Sequence, residues 1–185
     1  MSINKTAPLN VLHADFVAAS TTSMPIAGTI YWMIVSAASL FWHPENVALL
    51  VLIGSGMILP AGIFIDKLRG QGKMSTVGFT NPLQLMFIKG TAVVVLLWPL
   101  VIIAWKAAED PNLVVLGGAV LMGLVWIPYG AAADDPVGMQ HAVGRAVASY
   151  TAFLFAPDPY KATAISLVVI ASYLFTVFRM KRSGA

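Results

Sequence analysis

The sequence predicts an all-α fold: a polytopic transmembrane bundle of six helices, preceded by a short N-terminal interfacial helix. Two observations carry this. Of 185 residues, 58% are hydrophobic and only 10% are charged, with a mean hydropathy of +0.82. A soluble domain carries about 25% charged residues, and no soluble core of this length hides so much apolar surface. The apolar residues also fall into six runs long enough to cross a hydrocarbon core about 30 Å thick, which takes about 20 helical residues.

The elements follow in order. Residues 1–24 form a tail in which Leu9, Leu12, Phe16 and Val17 recur at helical spacing, the pattern of a helix lying on a membrane surface. The transmembrane domain covers 25–178, with spans at 25–42, 47–65, 83–105, 113–133, 137–156 and 162–178. His43-Pro44 ends the first span and Asp66-Lys67 the second. Pro60, Pro99 and Pro128 interrupt the second, third and fourth, and each frees a carbonyl four residues upstream. The fifth span is the least apolar. Asp135 suits its N-cap and Pro136 its first turn, but it carries His141 and Arg145. Residues 179–185 are a basic tail. No Gly/Ser linker divides the chain, the two halves do not align as repeats, and the N-terminus lacks the apolar core of a signal peptide.

Charge supplies the orientation. With six spans, one side carries Lys5, Lys67, Arg69, Lys73, Arg179, Lys181 and Arg182, and the other only Lys106 and Lys161. Basic loops stay inside, so both termini are expected in the cytoplasm of a bacterial inner membrane. The net charge of +3 is read this way and not as nucleic-acid binding. The absence of cysteine excludes disulfides, thiolate catalysis and Cys-based zinc sites. GxxxxGK[ST], HExxH and GxSxG motifs are absent, so no cofactor or catalytic residue is expected. His43 falls on the opposite side from His141, which argues against a metal site.

Two cations remain inside the spans. Arg145 lies eight residues past Val137, about 12 Å deep at 1.5 Å per residue, with His141 one turn before it on the same face. Lys89 lies about 9 Å deep from the same side. With Tyr31, Trp32 and Tyr129 in that half, they form a candidate substrate-binding set; Pro60, Pro99, Pro128 and Asp135 are taken as structural. Each has a plainer reading. Lys89 can snorkel to the interface, His141 can be a packing residue, and Arg145 can pair with Asp134 or Asp135.

GTIYW (28–32), GSGMILPAG (54–62), TNPL (80–83), WP (98–99), WIPYG (126–130) and HAVGR (141–145) follow one another along nearly the whole chain. Their order and spacing resemble an uncharacterised family of small multi-pass bacterial membrane proteins. The resemblance implies a bacterial membrane setting and a single helical bundle, and it supplies no catalytic roles. The favoured function is a small solute transporter or channel-like protein with a cytoplasm-facing polar cavity. Its partners are the lipid bilayer and an anionic small molecule or lipid headgroup; a homo-oligomer is left open. The alternatives are a membrane-embedded enzyme or anionic-lipid binder using His141 and Arg145, and a non-catalytic subunit or assembly factor.

Overall fold

The computed structural model describes residues 7–70 and 81–181. Lys5, Lys73 and Arg182 of the basic set lie outside them. Seven helices and no strand occur among the described residues: α1 Leu9–Ala19, α2 Ser23–Ala38, α3 Pro44–Leu68, α4 Pro82–Ala108, α5 Asn112–Ala133, α6 Val137–Phe155 and α7 Lys161–Arg179. Of these, α3, α4, α5 and α7 are long and apolar enough to cross a membrane. The 16-residue α2 is shorter, and the 19-residue α6 is more polar because it carries Gln140, His141 and Arg145.

The helix starts have local causes. Pro44 and Pro82 occupy first-turn positions, where the missing N–H costs nothing. The Asn81 side chain accepts from the Leu83 N–H at 2.9 Å, and Asp110 accepts from the Asn112 N–H at 2.9 Å. Asp135 accepts from the Val137 N–H at 3.0 Å. At the other ends, Glu109 and Asp134 take left-handed backbone with φ of 52° and 49°, which turns the chain out of α4 and α5.

The three prolines sit just past irregular turns. A 3₁₀ turn at Ser55–Met57 precedes Pro60, a break at Leu97 precedes Pro99, and a break at Val125 precedes Pro128. Proline lacks the N–H that the carbonyl four residues back requires, so the ladder loosens there. Within the first of these turns, the Ser55 hydroxyl donates back to the Val51 carbonyl at 2.6 Å.

α5 sits in the middle, against α3, α4, α6 and α7; α2 fills the groove between α7 and the later half of α3. α5 and α6 meet backbone to backbone. A Cβ on Gly138 would stand 2.3 Å from the Trp126 carbonyl oxygen and 2.6 Å from the Gly130 Cα, so only glycine fits.

α6 is inverted relative to a soluble helix. Met139, Val143, Val147 and Leu154 face outward, while His141, Arg145 and Ser149 face the interior. α2 likewise exposes Ile30, Met33 and Ile34. An exposed apolar belt with polar groups inside is the arrangement lipid selects and water does not.

α1 does not simply float on a surface. Leu12, Phe16 and Ala19 are buried against the end of the bundle where α4 begins and α5 ends. His13 Nδ1 donates to the Ala132 carbonyl at 2.9 Å, and Asn81 Nδ2 donates to the Leu12 carbonyl and to Asp15, both at 2.9 Å.

Candidate functional site: a buried arginine in an aromatic box

Arg145 and His141 are both 1% exposed, on the inner face of α6. The sequence places them four apart, and the helix stacks them. Arg145 Nη1 donates to His141 Nε2 across a long 3.4 Å, and His141 Nδ1 lies 2.6 Å from Thr176 Oγ1. Thr176 donates its own proton to the Ser172 carbonyl at 3.1 Å. It must therefore accept from histidine. His141 is then the neutral tautomer protonated on Nδ1, leaving Nε2 to accept from arginine, an assignment made from the hydrogen-bond network. The relay runs in one direction, from Arg145 through His141 and Thr176 to a carbonyl of α7.

Aromatic rings close the box. The Arg145 Cζ lies 5.0 Å from the Tyr173 ring centroid and 5.7 Å from that of Trp32. Such rings attract the cation through their faces. Trp126 stacks on His141 at 4.7 Å between centroids, and Tyr173 meets the imidazole edge-on at 5.4 Å. Gly123 of α5 leaves room for the stem: a Cβ there would stand 3.1 Å from the Arg145 Cδ.

No carboxylate reaches the guanidinium. The ion pairs among the described residues are His43–Glu45, Lys161–Asp158 and Lys181–Asp134. Asp135 is engaged by backbone instead, accepting from the Val137 N–H and, at 2.7 Å, from the Lys181 N–H. The Lys181 ammonium also donates to the Asp134 carbonyl. The two aspartates thus tie the end of α7 to the α5–α6 turn and leave Arg145 without a fixed counterion. Among the described residues Arg145 Nε and Nη2 meet no hydrogen-bond partner, although the Tyr173 side chain lies against the guanidinium.

The other candidates scatter. Trp32 joins Arg145. Tyr31 donates to the Leu50 carbonyl at 2.9 Å, with its ring over Gly54 and edge-on to Trp32 at 5.9 Å. Tyr129 belongs to a cluster with Phe16, Phe87 and Trp126 under α1, and donates to the Lys181 carbonyl at 3.3 Å. Lys89 stands on the exposed side of α4, away from His141 and Arg145, and makes no hydrogen bond or ion pair among the described residues. Depth brought it into the set, but depth does not give the direction around the helix. Tyr173, Trp126, Thr176 and Ser149 complete the box. Of these, Trp126 and Tyr173 carried a depth signal, lying in the same half of the spans as Arg145, and Ser149 a spacing signal, four residues past Arg145 on the same face; Thr176 carried none.

Two openings flank this core. A cavity of about 60 Å³ beneath the end of α1 is lined by Ser20, Met24, Phe87, Trp126, Tyr129 and Tyr173; it is mostly apolar and Arg145 is not part of its lining. A groove of about 360 Å³ lies on the outer side of α6 and α7, bordered by Gln140, His141, Gly144, Arg145, Ala148 and Ser172. The polar, cytoplasm-facing cavity expected from the sequence is therefore not the opening beneath α1. No group of three or more His, Cys, Asp or Glu suited to a metal occurs among the described residues.

Fold and site together define an all-helical protein with four helices fit to cross a membrane and a carboxylate-free arginine buried among them. The chain belongs to the family of unknown function DUF7010, whose members' shared pattern it matches over residues 12–182. No curated protein and no solved structure matches it.

Proposed function

We propose that this protein is a small transporter or channel-like protein of the bacterial cytoplasmic membrane. In this reading six helices, α2 to α7, cross the bilayer, with both termini in the cytoplasm and Arg145 receiving an anionic guest. One observation carries it: a protonated guanidinium buried inside the bundle, with two nitrogens that meet no hydrogen-bond partner among the described residues and no carboxylate to neutralise it. A structural arginine is expected to have a fixed partner, because an unpaired charge in low dielectric is costly. A site for an exchanging anion leaves that partner out.

The polar side chains support passage as well as binding. His141 and Thr176 pair near one end of the α6–α7 seam, Arg145 and Ser149 follow, and Ser166 lies beyond. Ser39 and Thr163 close the series at the far end with oxygens 2.7 Å apart. The outward apolar faces of α2 and α6 support counting these two as spans. The test is uptake into liposomes holding the purified protein, across a panel of inorganic and organic anions. Wild type is expected to pass at least one, and Arg145→Gln to pass it at least about tenfold more slowly. Equal flux in the two proteins removes Arg145 from the function.

The outer groove favours one second reading, an anionic lipid lying between α6 and α7 with its headgroup at Gln140 and His141. Retention of a specific anionic lipid through purification, lost in His141→Ala, would support it.

A further inference from the structure

Four helix ends meet at the end of the bundle opposite α1. α2 stops at Ala38, and α3, α5 and α7 start at Pro44, Asn112 and Lys161. A pocket of about 420 Å³ opens among them, within the size range of ligand sites. Phe41, Trp42, Asn112, Asp158 and Tyr160 all line it. Trp and Tyr at a membrane boundary are common anchors. Here they share one pocket with a carboxylate.

The lining presents two chemistries. Among the described residues, Asp158 is the only charged side chain in it. Lys161 donates to its Oδ2 at 3.1 Å, but the carboxylate stays largely exposed, and such a surface pair is weak. Asn112 donates its side-chain N–H to Asp110 at 3.0 Å, which leaves the amide oxygen to accept. Acceptors and ring faces recognise an ammonium. The helix starts have the opposite preference. Pro44, Asn112 and Ala162 line the pocket from the first turns of α3, α5 and α7, and helix N-termini favour a phosphate.

Phe41 and Trp42 also head a second opening, a shallow groove of about 630 Å³ along α3. Asn46, Leu49, Leu50, Ile53 and Gly54 line it. Their spacing puts them on one helix face, so the groove runs about 12 Å down the span. Leu49 and Ile53 expose apolar surface there, while Tyr31 of α2 fills the Gly54 notch. A soluble amine needs only the pocket. A lipid uses both openings, which the two shared aromatic residues join.

We propose that the joined pocket and groove hold one zwitterionic phospholipid. Its headgroup ammonium sits among Asp158, Trp42 and Tyr160, its phosphate turns to the helix starts, and an acyl chain lies along α3. The site is at the far end of the bundle from His141 and asks nothing of Arg145, so the outcome of the anion-uptake assay neither supports nor removes it.

The experiment uses the full chain, delipidated in detergent, and reads thermal stability against added lipid. Wild type is expected to gain stability saturably with phosphatidylethanolamine. Phosphatidylglycerol with the same chains lacks the ammonium and should need an about tenfold higher concentration, the loss of one cation contact. Free phosphoethanolamine should give no response. Asp158 and Trp42 are exposed, so their variants should fold. Asp158→Asn should remove the preference for phosphatidylethanolamine, and Trp42→Ala should weaken binding of both lipids. Equal responses to the two lipids in wild type, or none to phosphatidylethanolamine, overturn the proposal. So does a phosphatidylethanolamine response that is unchanged in both variants. Phosphoethanolamine acting as well as the lipid would replace the lipid by a soluble amine and overturn it too.

Discussion

The Arg145 guanidinium rests against Tyr173, Cζ 5.0 Å from the ring centroid, and Tyr173 fits there because residue 28 of α2 is glycine. A Cβ on Gly28 would stand 2.4 Å from the Tyr173 Cζ, well inside contact distance. Gly28→Ala must therefore push the ring off the α2–α7 seam and disturb the cation beneath it. The expected loss is about 1–3 kcal/mol, the usual scale of overpacking, read as a lowered melting temperature in detergent. Gly144→Ala on α6 is the control. Its Cβ meets nothing within 4 Å, so stability should hold or rise slightly.

Much of this was legible in the sequence, and the exceptions have physical reasons. Hydropathy locates the long helices because lipid demands unbroken apolar runs and internally paired backbone. His141 and Arg145 were recognisable as neighbours because a four-residue spacing puts side chains on one helix face. Continuing it by one turn reaches Ser149. Lys89 shows the limit: its depth matched that of Arg145, but α4 turns it outward. Trp126, Tyr173 and Thr176 come from α5 and α7, and only packing assigns them to the box. Hydrophobic spacing indicated a helix at residues 7–20, yet its docking rests on His13 and Asn81, which report nothing until the ends of α4 and α5 are in place.

A second prediction separates stability from function at Arg145. The cation has no carboxylate to lose, so an apolar chain of similar length removes a desolvation cost without stranding a partner charge. Arg145→Met should melt at the same temperature as wild type or higher, while losing anion uptake. A large drop in melting temperature would mean that the arginine holds the bundle together, which would contradict a site maintained for a guest.

Asp135 makes a different kind of contribution. Its two carboxylate oxygens accept separately, one from Val137 at the start of α6 and one from Lys181 beyond α7. Asp135→Asn keeps one acceptor and replaces the other by an NH₂ group that faces the Lys181 N–H. The helix start should survive while the end of α7 lets go. The measurable result is faster proteolysis at the C-terminus, with a stability loss of about 1–2 kcal/mol, the range for an unmade buried hydrogen bond. Asp135→Ala should lose both contacts and destabilise further. If Asp135→Asn is digested no faster than wild type, the Lys181 contact does not secure the tail.

The number of crossings turns on α2 and α6, the short helix and the polar one, and the chain supplies a clean background for deciding it. It has no cysteine, so one introduced thiol is the only site for a maleimide. Pro136 and Asp158 are exposed and flank α6, while Asn10, at the start of α1 ahead of α2, and His43, just past the end of α2, are also exposed. If α6 crosses, Asp158→Cys should react with a membrane-impermeant maleimide on intact spheroplasts, and Pro136→Cys only after permeabilisation. If α2 crosses, His43→Cys should react in intact spheroplasts and Asn10→Cys only in opened ones. Each pair judges its own helix. Labelling of Pro136→Cys and Asp158→Cys from the same side would take α6 out of the bilayer. Arg145 would then no longer need a bound anion to sit unpaired within it.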